Sequence, residues 1–125
     1  AGSLPNYPTG SVSLSAGSAN VANASGVATL TGTATTKVYI SGFQVTGAGA
    51  TAGAAATVTV AGLLGGTRSF TYTFATGAVV ANQPLLIQFT PPLPASAVNT
   101  PIVVTCPASG TGGTNNTVNA QGFYV

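Results

Sequence analysis

Large and small side chains alternate along much of this chain. The clearest run is Thr67-Arg68-Ser69-Phe70-Thr71-Tyr72-Thr73-Phe74, in which every second residue is large. That period of two is the mark of a β-strand with one face buried. The same alternation begins at Val12 and Leu14, continues through Val27 and Leu30, and strengthens over Lys37–Val45. It returns in Thr57–Ala61, and Pro84–Phe89, Pro101–Cys106 and the tail from Thr117 to Val125 read as further strands. β-Branched and aromatic residues dominate these runs, as strands prefer.

The interruptions are as informative. Gly65-Gly66 separates two alternating runs and predicts an antiparallel hairpin. Gly42, inside a strand pattern, predicts a bulge or a bend. Pro91-Pro92 and Pro107 are expected to stop the strands before them, because proline cannot donate to a ladder. Gly47–Ala56 holds three glycines and reads as a loop, since each glycine costs a helix about 1 kcal/mol. Residues 1–10, AGSLPNYPTG, read as an extended arm with Tyr7 as its anchor between Pro5 and Pro8. The expectation is about eight short strands without an amphipathic helix. That is a single antiparallel β-sandwich over 11–125, a jelly-roll being the favoured arrangement.

Composition supports a folded chain. With 14 Val, 8 Leu, 3 Ile and 5 Phe, 30 of 125 residues are large and apolar. That is above the roughly 20% below which chains tend to stay disordered. A mean hydropathy of +0.48 is high enough to raise the question of a membrane protein. Gly, Ser and Thr break every apolar run well short of the ~18–20 residues that a spanning helix needs. The first residues show neither the basic nor the apolar region of a signal peptide.

Charge changes the picture most. The chain has two cations, Lys37 and Arg68, with no Asp, no Glu and no His. General acid–base catalysis near neutral pH draws on those missing types, so a Ser–His–Asp or Cys–His arrangement cannot be built. The expectation is a protein that is not an enzyme. Zinc sites need Cys and His, and calcium or magnesium sites need carboxylates. No metal and no cofactor is therefore expected, and Cys106, the single cysteine, reads as a small buried hydrophobe. Two cations are too few for nucleic acid, whose binding rests on many phosphate contacts. The glycine runs Gly47-Ala48-Gly49 and Gly110–Thr114 lack the residues of a nucleotide loop. Asn23-Ala24-Ser25 and Asn115-Asn116-Thr117 match the glycosylation pattern and are read as chance.

What remains is contact with other molecules. A surface almost free of charge has little electrostatic protection against association. The candidate interface residues are Pro5, Tyr7 and Pro8 of the arm, the cations Lys37 and Arg68, and Tyr124 and Val125 at the far end. Within its own chain Arg68 has only carbonyls, aromatic faces and the terminal carboxylate of Val125 to meet. Its other partners are acids on another protein.

Three segments carry a resemblance: Thr36–Gly47 (TKVYISGFQVTG), Pro92–Val104 (PLPASAVNTPIVV) and Gly110–Phe123 (GTGGTNNTVNAQGF). Together, over roughly residues 30–125, the chain resembles small virion proteins of tailed bacteriophages, of the capsid-decoration or head-fibre type. The resemblance implies a jelly-roll body on the outer surface of the capsid, often trimeric, bound to the major capsid protein or another virion protein. It carries no functional motif. The competing expectations are a carbohydrate-binding module with a host glycan as partner, and a subunit of an extracellular filament or tail tube.

Overall fold

The computed structural model describes residues 8–50, 54–74, 77–81, 84–108 and 115–125. Among them there is no helix. Ten strands follow in order: β1 Val12–Gly17, β2 Val21–Ala22, β3 Gly26–Leu30, β4 Val38–Ala50, β5 Ala54–Ala61, β6 Arg68–Phe74, β7 Gly77–Ala81, β8 Leu85–Pro94, β9 Ile102–Cys106 and β10 Asn115–Tyr124.

They form two antiparallel sheets. In one, β1 and the short β2 flank β10, β10 pairs with β4, and β4 is flanked by β8 and β7. The other runs β3-β9-β5-β6. The pairings have a simple logic. β1 pairs with β10, β3 with β9, β4 with β8 and β5 with β6, all antiparallel. In addition β10 pairs with β4, and β9 with β5.

The alternation does what period two requires: one face of each sheet turns inward. Val38, Ile40, Phe43, Val45, Val118 and Ala120 come from the first sheet, and Leu30, Val58, Val60, Ile102, Val104 and Cys106 from the second. All are buried. Phe43 of β4 reaches across to Phe70 of β6, edge to face, with ring centroids 5.2 Å apart at 66°. Phe89 of β8 stands 6.1 Å from Phe43 and 6.4 Å from Phe70. On the other face of the first sheet Tyr39 and Phe123, opposite each other in register, stack at 5.0 Å.

Several expectations meet the structure directly. The hairpin forms, with Val60 opposite Arg68. Gly65 and Gly66 hold φ of +94° and +105°, and Gly66 N donates to Leu63 O at 3.1 Å. The bulge expected at Gly42 is present: the register against both β10 and β8 jumps between Ile40 and Gly42. A Cβ at Gly42 would stand 2.6 Å from Ile87 O, so glycine is required there by close approach.

Others are corrected. Gly47–Ala50 and Ala54–Ala56 are strand, not loop. Small residues pair as well as large ones where a ladder already exists: Ala48 lies opposite Asn115 on one side and Ala81 on the other. Gly49, at φ +79°, takes up the register shift between Ala48 and Ala50. Nor do Pro91-Pro92 end β8, which continues to Pro94. β8 borders β4 on one side only, so prolines are tolerated there. They fall where the pairing jumps from Gly42↔Gln88 to Ile40↔Leu93. Of the arm, residues 1–7 lie outside the described residues. Residues 8–10 make a turn, with Ser11 N donating to Pro8 O at 3.0 Å.

Candidate docking surface

The reactive side chains come first, because they are few. Cys106 is fully buried at the end of β9, and its thiol contacts the Pro107 carbonyl at 3.7 Å. Burial pushes the thiol up to about 11 from an ordinary 9.0. At neutral pH it is protonated, and a thiol is a far weaker nucleophile than a thiolate. The Tyr72 phenol is raised as well, by burial first and by its neighbour Cys106 second.

These shifts set the stability profile. Both groups have folded pKa values above their unfolded ones, so their contribution is complete below about pH 9. It is lost as pH climbs toward 11, on the order of 2 kcal/mol for the thiol. On the acid side no side chain titrates between roughly pH 3 and 8, because carboxylates and imidazoles are missing from the sequence. The melting temperature is therefore expected to stay flat from pH 7 down to pH 3 and to fall by several degrees at pH 10.5. The Cys106→Ala variant should show a shallower alkaline fall. Differential scanning calorimetry across that range checks both limbs.

A shallow cleft of about 240 Å³ lies where β10 begins, lined by Asn20, Thr46, Ala48, Asn115 and Thr117 among others. Asn20 Nδ2 donates to Asn115 Oδ1 at 3.2 Å. Among the described residues no aromatic ring lines it.

The opposite end of the sandwich has a different character. Register fixes its membership. β1 begins there at Val12, opposite Tyr124, where β10 ends. β4 begins at Val38, opposite Tyr124 on the other side, and β8 ends at Pro94, opposite Tyr39. In the second sheet β5 ends and β6 begins there, with Val60 opposite Arg68. Three loops close this end: 31–37, 62–67 and 95–101.

Backbone hydrogen bonds lock these loops together. Leu64 N donates to Pro94 O at 3.0 Å, Ser96 N to Gly62 O at 2.8 Å, and Ala95 N to Val38 O at 2.7 Å. Asn99 N donates to Thr36 O at 3.0 Å, while Lys37 and Val125 exchange two bonds of 3.0 and 3.1 Å. Gly62 holds φ +89° and passes so close to Pro101 O that a Cβ would overlap it. The end is thus preorganised, and little ordering entropy would be lost on binding.

Its outward face is apolar and cationic. Leu64 is 63% exposed and Val98 52%, with Val12 and Val125 also exposed. Of the six exposed large hydrophobics among the described residues, these four lie at this end; Val27 and Leu86 lie elsewhere. Arg68 is exposed and Lys37 half-buried. Neither makes an ion pair with another described residue, so the contact between Arg68 and the Val125 carboxylate is not formed. From Val12 to Leu64 the face crosses four strand spacings, about 19 Å at ~4.8 Å each.

Of the sequence-derived interface residues, the structure brings Lys37, Arg68, Tyr124 and Val125 to this one end. Pro8 is exposed and leads into β1 at the same end, while Pro5 and Tyr7 lie outside the described residues. Leu64, Val98 and Val12 were missed. Leu63 and Leu64 are adjacent and alike, yet Leu63 is buried and Leu64 faces solvent. Val98 gave a faint signal, as a lone apolar residue in a loop bounded by prolines. A search of family models, curated proteins and solved structures finds no match to this chain.

Proposed function

We propose that this chain is a non-enzymatic structural virion protein, a decoration or head-fibre subunit that docks on the outer surface of a phage capsid. The locked apolar and cationic end around Leu64, Val98, Lys37 and Arg68 carries this reading. A monomer rarely leaves clustered large apolar side chains in water without a partner for them. With no acid in the chain, the two cations find their counter-charges on a different protein. The expected partner face is apolar at its centre and acidic at its rim, as for interfaces generally.

The body is proposed to be a jelly-roll. What supports this is the nested pairing of β1 with β10, β3 with β9, β4 with β8 and β5 with β6, across two sheets of antiparallel strands. A sandwich of this kind supplies rigidity and leaves its ends for recognition. The resemblance to decoration and head-fibre proteins points the same way. The sugar-binding alternative is weaker, because among the described residues the cleft lacks the aromatic platform on which sugars stack. Tyr39 is stacked on Phe123 and Tyr72 is buried.

The test is a double variant, Leu64→Glu with Val98→Ser. Both positions are exposed, so stability should change by about 0.5 kcal/mol or less per site. Binding to tailed-phage capsids is expected to weaken at least tenfold, since central apolar contacts dominate interfaces. Co-sedimentation with capsids reads the loss, and unchanged binding would remove this end from the reading.

A further inference from the structure

Sheet edges present unpaired backbone N–H and C=O groups that recruit other strands unless something blocks them. Among the described residues, three of the four edges are shorter or interrupted. The β1–β2 edge is broken at residues 18–20. The β8–β7 edge carries Pro91, Pro92 and a register jump. The β3 edge is only five residues long. β6 differs. It runs seven residues without proline, glycine or bulge, and among the described residues it pairs with β5 alone. Ser69, Thr71 and Thr73 on one face are exposed, and Phe70 on the other is only half-buried.

We propose that two copies of this chain associate through β6, antiparallel, about a two-fold axis at Thr71, so that the sheet β3-β9-β5-β6 continues into the second copy. The strand is complementary to itself in that register. Thr71 meets Thr71, Ser69 meets Thr73, and Phe70 meets Tyr72. Hydroxyl pairs thus form on the exposed face, a favourable cross-strand combination, while on the other face half-buried Phe70 comes opposite Tyr72, which is already buried in its own core. Arg68 meets position 74, which leaves the two guanidinium groups roughly 20 Å apart at ~3.4 Å per residue. A parallel seam would set Arg68 beside Arg68, with no acid in the chain to offset the repulsion. Charge therefore selects the antiparallel pairing, and with it the two-fold axis. Such strand addition draws its affinity from main-chain hydrogen bonds. The result is a dimer, where the resemblance to head-fibre proteins implies a trimer.

The seam lies on β6, and its test uses purified protein alone, whereas capsid attachment is read at Leu64 and Val98. Either can fail without the other. Sedimentation equilibrium at tens of micromolar should return twice the chain mass of 12.0 kDa, or 24 kDa, in low salt and in molar salt alike. Thr71→Lys and Thr71→Glu each set like charges across the axis. Each alone is expected to weaken self-association at least tenfold while keeping the wild-type circular dichroism spectrum. Mixing the two should restore a dimer, because lysine then faces glutamate. A wild-type monomer or trimer, dissociation in molar salt, a dimer indifferent to both substitutions, or a mixture that stays monomeric would each overturn the proposal.

Discussion

Gly122→Ala is expected to destabilise the domain by about 3 kcal/mol or more, although it adds a single methyl group. Gly122 lies in β10, between Leu14 of β1 and Ile40 of β4. A Cβ there would overlap the Tyr39 carbonyl oxygen and stand 3.0 Å from its carbon and 3.1 Å from Ile40 Cα. These are backbone atoms, which cannot rotate aside as a side chain can. β10 is held on both flanks, so relief requires prising apart the two central strands of the sheet. Net stability of a domain is typically about 5–15 kcal/mol, so this is a large share of it. The melting temperature should fall by roughly 10 °C or more. Gly66→Ala is the contrast. Gly66 sits at φ +105° with nothing within 4 Å, so a methyl meets only an unfavourable backbone conformation, worth about 1 kcal/mol. Equal effects of the two substitutions would mean that close approach is not what Gly122 provides.

Phe43→Ala should cost about 3–5 kcal/mol, the range for removing a large buried aromatic side chain. Phe43 has no exposed surface. It is the ring through which the two sheets meet, with Phe70 on the facing sheet and Phe89 on a neighbouring strand. Deleting it loses apolar burial and leaves both rings facing a void. Phe43→Leu refills most of the space and should cost less than half as much. Leu86→Ala, on the solvent face of β8 at 66% exposure, should fall within about 0.5 kcal/mol of wild type. Urea titrations read these differences as midpoint shifts at constant slope.

Sequence made the fold legible wherever large and small residues alternate, because burial of one sheet face writes that period directly. β6, β9 and β10 fall where the alternation puts them. β7 was missed because Gly77-Ala78-Val79-Val80-Ala81 has only two large residues and no alternation. Its existence depends on β4 being long enough to receive it. Gly47–Ala50 and Ala54–Ala56 read as loop for the related reason that local propensity is weak beside a ladder supplied by distant strands; residues 51–53 between them lie outside the described residues. Pro91 and Pro92 were read as a stop because sequence does not say which strand lies at an edge.

The candidate docking end was half legible. Lys37 and Arg68 stand out because the chain has no other charged side chain, but their convergence depends on how distant strands pair. Leu64 could not be told from Leu63, since the choice between core and solvent is made by the turn at Gly65-Gly66. Arg68 has no acid to meet inside its own chain, and the fold leaves it exposed beside an apolar surface.

The most direct test of the proposed docking is the binding of wild type and the Leu64→Glu, Val98→Ser variant to tailed-phage capsids, measured side by side by co-sedimentation. Wild type should saturate the capsid surface, and the folded variant should need at least tenfold more protein to reach the same occupancy. Equal occupancy by both, or none by either, would contradict it.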